Sequence, residues 1–511
     1  MAFSLVSCKK AEEGYVEGGE LVVIQDFSDI KLGIYGIDTL NPLVTKSDSV
    51  QKIMNIVYES LFTVDEQGKL DSVLAHSYSV SEDGKRIDIT LKDGVKWHDG
   101  TNLTAEDVAY TLSKMGEGQG LYGKIYSKIH SFTAVNEKDV IITFENPELA
   151  PEYLLTFPII PKSAAHSSDA DFTPIGTGSY KFISKSGTEM VLEPNSQWHE
   201  GAVSERKIIV KILKDKNAVA EAFNVGEIDA VTSDELDDSA ITPKSNSHTQ
   251  TMVSGNMVFL GFNVVSPAVT SQSVRKAIDG VLDRERIVEQ EVYGRGVATR
   301  LSVDPTSWMM SGALKEKHPD NYAEDLMESE GYVIKDGIYH KDDARLTIRL
   351  LVNAENSQRC ELAESIATIL KGTGFDIVLD KVSYEEYTAK IAADDFDMFI
   401  GETEVGGNPN PTAMLSWDNY FNFDISRTES FFQRLCTVTD EEEMKVQIEQ
   451  FSQVFYTDPP YLPLYFKTKN VVYGSYVSGI EKPVSFDPYK DIEKWFFYDK
   501  NGKENKEQAE E

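Results

Sequence analysis

The chain carries few of the residues from which reactive centres are built. Its three cysteines are Cys8, Cys360 and Cys436. Cys360 and Cys436 lie in amphipathic segments with no histidine beside them, the pattern of structural thiols and not of reactive thiolates. Their separation in sequence does not decide whether they pair. The eight histidines are scattered, and no two stand four apart, so no helical face presents two imidazoles to a zinc ion. No G-x-S-x-G elbow offers a serine nucleophile. Gly118 to Lys124 has the spacing of a phosphate loop. Ile125 stands where the magnesium-binding hydroxyl belongs, however, and the segment follows a helix instead of a strand. No apolar run approaches the roughly 20 residues needed to span a bilayer. Positive charge is also short: 84 acidic against 50 basic side chains leave a formal charge of −34. A surface so acidic repels nucleic-acid phosphates and anionic lipid, which excludes nucleic acid as the expected partner.

What is present is a soluble, patterned chain of 511 residues, long enough for two or three domains. LVVIQD (21–26) reads as a strand, and Ile53, Ile56, Val57 and Leu61 follow helical spacing with Asp48 or Ser49 as the cap. Asp83-Gly84 and the Asn136–Asp139 stretch each sit between alternating segments, so two hairpins are expected in a small antiparallel unit with one helix. KIIVKIL, a helix and IDAV then form a β-α-β pattern. TIRLLVN, a helix, FDIVL, a helix and FDMFIG repeat the plan, which implies parallel sheets. One long helix, from near Ser273 to Gly294, separates the two units. Residues 499–511 are charged, lack large apolar side chains and are expected to be disordered.

Trp97-His98-Asp99, with Glu106 and Asp107 close behind, first suggests a metal or acid–base cluster. Asp93-Gly94 and Asp99-Gly100 are turn dipeptides, however. Thr104 opens a capping box in which its hydroxyl accepts a backbone N–H and Asp107 reaches back. Every polar group there has a structural task, and one imidazole does not make a metal site. The whole stretch SVLAHSYSVSEDGKRIDITLKDGVKWHDGTNLTAEDVAYTL nevertheless resembles the signature of the family 5 extracellular solute-binding proteins of ABC importers. LNPL, VYESLF, PIGTGSYKF, GEIDAV, LGFNV, VRKAIDGVLDRERIV, ELAESIATILKGTGFDIVL, DFDMFIG and YLPLYF extend the resemblance, in order, over roughly residues 20–480.

The resemblance implies an α/β, two-lobed periplasmic-binding-protein-like fold (type II, cluster C) with an additional inserted α+β domain. The expected division is 1–19 signal remnant and linker; 20–47, 174–263 and 478–498 lobe I; 48–173 inserted domain; 264–477 lobe II; 499–511 tail. It also implies a monomeric, non-enzymatic receptor that captures a peptide between its lobes and hands it to ABC permease subunits, with no cofactor. A non-peptide solute such as a metal chelate or oligosaccharide, or a signalling peptide, remains open, as do a hydrolase using Glu402 and Glu404 and a surface adhesin.

Ligands of open parallel sheets lie beyond the carboxyl ends of the strands, where FDMFIG delivers Glu402, Glu404, Val405 and Asn408. In dipeptide- and oligopeptide-binding relatives an aspartate of this loop holds the peptide amine. Val405 falls on it, leaving Glu402 or Glu404 as the anionic partner, or a pair of solvated carboxylates. Thr45, Lys46, Ser47 and Asp48 follow the opening LNP segment and are expected to face the cleft, although Asp48 also suits a helix cap. Asn256 and Met257 correspond to a strand that gives peptides main-chain partners, and Trp417 to a pocket wall or a core position. Tyr58 and Glu59 are assigned to helix packing and surface. Leu5-Val6-Ser7-Cys8 resembles a lipoprotein box, with Cys8 acylated and the protein tethered outside the cytoplasmic membrane or in the periplasm. A full export signal has a longer apolar run than the one preceding Cys8.

Overall fold

The computed structural model describes residues 16–17, 20–21, 29–116, 122–166, 172–233, 246–310, 318–319, 321–405, 413–416, 419–436, 438 and 440–497. Cys8, Asn408, Trp417 and the 499–511 tail lie outside the described residues, as does most of the strand expected at 21–26.

The chain enters its main sheet through β1 (Ile30–Tyr35), whose alternate residues Ile30, Leu32 and Ile34 are buried. Helix α1 (Asp48–Val57) follows, with Ser47 at the N-cap position. Asp48 is therefore the first helical residue and not the cap, and it pairs with Lys52 one turn on, at 2.7 Å. The inserted unit holds β2 (Ala75–Val80), β3 (Arg86–Leu91), α2 (Ala105–Gly116), β4 (Ile129–Ala134) and β5 (Asp139–Phe144). Its strands form an antiparallel sheet in the order β2-β3-β5-β4. Both expected hairpins are present, and Gly84 supplies the positive φ, 64°, that the first turn requires.

The chain then returns to the main sheet through β6 (Tyr180–Lys185), β7 (Glu189–Pro194), β8 (Ile208–Leu213), α3 (Lys216–Asn224) and β9 (Ala230–Ser233). β8 and β9 both run parallel to β1, as the β-α-β pattern predicts. The long strand β10 (Ser247–Phe262) follows. The expected single helix is two: α4 (Gln272–Val281) and α5 (Arg284–Glu291). Asp283 explains the break, because its carboxylate accepts from the Arg286 N–H at 3.0 Å and starts a new helix. The second unit is β11 (Thr347–Asn353), α6 (Ser357–Gly372), β12 (Asp376–Val382), α7 (Tyr384–Ala392) and β13 (Met398–Glu404). β12 and β13 are parallel to β11. Helix α8 (Glu441–Thr457) leads into β14 (Tyr461–Gly474).

The resulting path is β6-β7-β8-β1-β9-β14-β10-β13-β11-β12. One half is lobe I, the other lobe II, and they are joined by β10 and β14. β14 pairs with β9 through Asn470–Tyr473 and with β10 along both halves. The register shift between Val253 and Met257 marks where β10 passes from one lobe to the other. The cores follow this division. Ile30, Leu32, Val50 and Ile53 share one cluster with Trp97, Val108 and Ile142 of the inserted unit. Lobe II has a cluster on each face of its sheet, one around Leu350, Ile366 and Ile400, the other around Phe259, Phe399 and Phe421. A small separate cluster brings Leu149 of the inserted unit against Leu301, Val303, Met309, Leu435, Met444 and Ile448 of lobe II. Beside it the Trp308 N–H donates to the Gln67 carbonyl at 2.9 Å, and Lys69 pairs with Glu441 at 2.6 Å.

Candidate ligand-binding site

The carboxyl ends of the parallel strands in both lobes flank the crossing strands, which is where an open α/β sheet places a ligand. On the lobe I side β1 runs into the loop 36–47. Asp38 organises it, accepting from the Thr45 hydroxyl at 2.5 Å and the Lys46 N–H at 2.7 Å. Burial alone would raise the Asp38 pKa; the hydrogen bonds from Lys46, Thr45 and Thr39 outweigh it and hold the carboxyl below its usual range. Thr45 is wholly buried in this role, whereas Lys46 and Asp48 are exposed. The Ser47 hydroxyl donates to the Tyr35 carbonyl at 3.3 Å. Lys52, almost fully buried, reaches from α1 to the Thr232 hydroxyl at 3.1 Å, at the carboxyl end of β9.

On the lobe II side, alternation along β13 sends Met398, Ile400, Glu402 and Glu404 to one face. Glu402 is no open carboxylate: Arg359 Nη2 lies 2.8 Å from one oxygen and Lys467 Nζ 2.9 Å from the other. Burial pushes its pKa up, but the Arg359 and Lys467 contacts prevail and the net direction is down. Arg359 stands in the first turn of α6, which Asn356 caps by accepting from the Arg359 N–H at 3.0 Å. Two cations thus surround one carboxylate, and the sequence reading missed both. For Lys467 the signal was parity: it falls on the same sheet face as Tyr465, which pairs through Val258 with Glu402.

Glu404 is exposed and lies opposite Asn256 in the β10–β13 register. Met257 is fully buried and Asn256 half-buried. Val405 is buried with Met257, Leu415 and Phe421, and its N–H donates to the Gly255 carbonyl at 2.8 Å. Among the described residues, Asp38, Thr45, Lys46, Ser47, Asp48 and Lys52 lie on the lobe I loop and α1. Arg359, Glu402, Glu404, Asn256 and Lys467 lie on α6, β13 and the crossing strands.

The Trp97–Asp107 region is structural. Asp107 accepts from the Trp97 indole at 3.3 Å and from the Thr104 N–H at 2.9 Å. The Thr104 hydroxyl donates to that same carboxylate at 3.0 Å instead of accepting a backbone N–H. His98 locks the inserted unit to lobe I: Nδ1 accepts from the Gly176 N–H at 3.2 Å, and Nε2 lies 3.0 Å from the Gly178 carbonyl, to which it donates. The two glycines are required because a Cβ on Gly176 would fall 1.7 Å from the Val57 carbonyl oxygen. Glu59 is not a surface residue: it accepts from the Trp198 indole at 2.9 Å and pairs with His199 at 3.0 Å, where side-chain exposure is 10% and 8%. Tyr58 is packed as expected, its hydroxyl accepting from the Ile175 N–H at 3.0 Å. Cys360 and Cys436 are both free, and burial pushes the Cys436 thiol up to about 12. Among the described residues no cluster of three or more histidine, cysteine or acidic side chains is arranged to hold a metal ion, and no helix is long and apolar enough to cross a membrane.

Two lobes on a shared pair of crossing strands, with polar groups at the facing strand ends, define a bilobal binding protein. Residues 69–424 match the model of the bacterial extracellular solute-binding proteins, family 5, and the chain belongs to that family. It is 25% identical over 520 residues to the oligopeptide-binding protein AppA of Bacillus subtilis, covering 96% of this chain and 94% of that one. The solved structure of that Bacillus subtilis protein with a nonapeptide aligns with a TM-score of 0.63 at 23% identity, over 93% of this chain and 100% of the other. NikZ from Campylobacter jejuni, in complex with Ni(L-His), aligns with a TM-score of 0.64 at 23% identity, over 92% and 100%.

Proposed function

We propose that this protein is the peptide receptor of an ABC importer, enclosing its ligand between the lobes and presenting the closed form to a membrane permease. The observation that carries the reading is the pairing, on one face of the lobe II sheet, of an exposed carboxylate with a cation-rich cluster. Glu404 offers an acceptor to a free amine; Arg359 and Lys467, gathered about Glu402, suit a carboxylate. A zwitterion with separated ends, which is what a peptide is, matches both. Asn256, half-buried beside Glu404 where the β10–β14 pairing is interrupted, stands next to the carboxylate, and Met257 packs beneath it. Lys46, Ser47 and Asp48 contribute from lobe I, and Asn408 and Trp417 are assigned from the sequence as further ligand contacts. Contacts made by both lobes favour closure only when ligand is present.

Titration calorimetry with peptides bearing free, N-acetylated and C-amidated termini tests the assignment. Glu404→Gln is expected to weaken free-amine peptides about 10-fold, about 1.4 kcal/mol, and to leave the acetylated series unchanged. If Glu402→Gln and Glu404→Gln both leave a free-amine peptide unaffected, the amine site is wrong. The cationic cluster also suits an anionic metal chelate, in keeping with the resemblance to NikZ. Mass spectrometry of ligand released from the purified protein separates the two, and turnover of a peptide library would sink the binding-only reading. The tether is assigned to Cys8, supported by its Leu5-Val6-Ser7 context. Expressed in bacteria from the full reading frame, Cys8→Ser is expected to move the protein from the membrane to the soluble fraction; unchanged partition removes the assignment.

A further inference from the structure

Away from the cleft, lobe II contains a second polar centre that the receptor function does not use. Asp279 of α4 stands between two guanidinium groups: Arg284 Nη2 donates to one oxygen at 2.6 Å and Arg300 Nη1 to the other at 3.3 Å. His318 Nε2 lies 3.3 Å from that second oxygen, and the Tyr456 hydroxyl is 2.9 Å from Nδ1. A neutral imidazole protonated on Nε2 satisfies both contacts, donating to the carboxylate and accepting from the phenol. Stacking on Tyr322, with ring centroids 4.0 Å apart, fixes the ring. One carboxylate therefore faces two permanent cations. Lys276 adds a third nearby, lying over the Tyr322 and Tyr456 rings. The other acidic group that acts on Arg300 is Glu285, which is exposed to solvent.

The excess positive charge is partly buried, with the Arg300 side chain 25% exposed. Arg284 is 2% exposed. Its Nε donates to the Pro463 carbonyl at 2.7 Å and its Nη2 to Asp279, while Nη1, shielded from solvent, has no hydrogen-bond partner among the described residues. A buried charged donor left unpaired is among the costlier defects a fold can carry. Burial and the neighbouring Arg284 both push the Arg300 pKa down, as expected where two like charges share a space short of anions. Arg284, Arg300 and Asp279 line a partly open cavity of ≈ 20 Å³ together with residues that include Ser452, Tyr456 and Leu462. A cavity needs roughly 10–15 Å³ to admit one water-sized occupant, so this one holds a single small species.

We propose that this cavity is a binding site for a small inorganic anion of halide type, chloride in solution, held by Arg284 Nη1 and Arg300. Its limited room favours a small ion, and its charge favours an anion over water. Because Arg284 also holds Pro463 near the start of β14, occupancy fixes the lobe II end of a crossing strand.

The test uses the full chain. Thermal unfolding is followed while sodium gluconate is exchanged for sodium chloride at constant ionic strength, and crystals of the same protein are grown in bromide. The expected results are a saturable rise in Tm of about 2–4 °C with chloride or bromide and an anomalous peak within hydrogen-bonding distance of Arg284 Nη1. Arg300→Gln is expected to abolish the halide increment. A flat or non-saturating Tm, an equal response to sulfate, an undiminished response in Arg300→Gln, or a cavity holding water with no anomalous signal would each overturn the proposal. The bromide measurement on the unaltered protein decides the matter if the variant does not fold.

Discussion

At the scale of single residues, the histidine of the signature stretch makes the sharpest prediction. Burial outweighs the Gly178 hydrogen bond and pushes the His98 pKa down to about 4. Protonating Nδ1 also destroys the bond it accepts from Gly176. Between an unfolded value near 6.5 and the folded value of about 4 the unfolded chain binds the extra proton. Stability from this group is thus complete above about pH 6.5 and is lost as the pH falls, by at most about 1.4 kcal/mol per pH unit. His98→Gln, which keeps a donor and an acceptor without a titrating ring, is expected to flatten the fall in Tm between pH 7 and 5. An identical slope in variant and parent would contradict this. The structural role of Trp97, His98 and Asp99 was legible in sequence because turn dipeptides and a capping pattern are local. The partners of His98 were not, because Gly176 and Gly178 are about eighty positions away and only the fold brings them together. Glu59 was misread for the same reason: its partners are Trp198 and His199.

At the scale of elements, periodicity carried most of the reading. The strands TIRLLVN, FDIVL and FDMFIG and the helix between the first two stand where alternation and helical spacing put them, because each packs one face on a core. The helix expected to run unbroken to Gly294 failed on a residue that periodicity does not see. Leu282 and Val288 continue the apolar stripe, yet Asp283 takes the N-cap position of α5. Asp283→Ala is expected to cost about 1 kcal/mol, read as a lower urea midpoint with an unchanged m-value. No change in the midpoint would mean that packing alone separates the two helices. β13 shows the converse limit: its alternation correctly sends Glu402 and Glu404 to one face. No pattern in that strand announces that Arg359 and Lys467 have already claimed the first of them, leaving the second open.

At the scale of the whole molecule, the two α/β units follow one another as the sequence pattern has them, with the antiparallel unit emerging after the first strand of lobe I. The joint between the lobes was less visible. β10 and β14 are long strands of one sheet whose two halves serve different lobes, and a single apolar run does not reveal that it will be shared. The least visible contact is the one that ties the inserted unit to lobe II through Leu149, Leu301, Met309 and Leu435, a patch assembled from four separated stretches of chain. Because it lies away from the two crossing strands, any rotation that parts the inserted unit from lobe II must strip these side chains of their neighbours and hydrate them. Apolar hydration carries a heat capacity and weakens as an obstacle on cooling. An equilibrium between closed and open forms is therefore expected to act as a thermometer, with cold favouring the gaping form and warmth the shut one even in the absence of ligand.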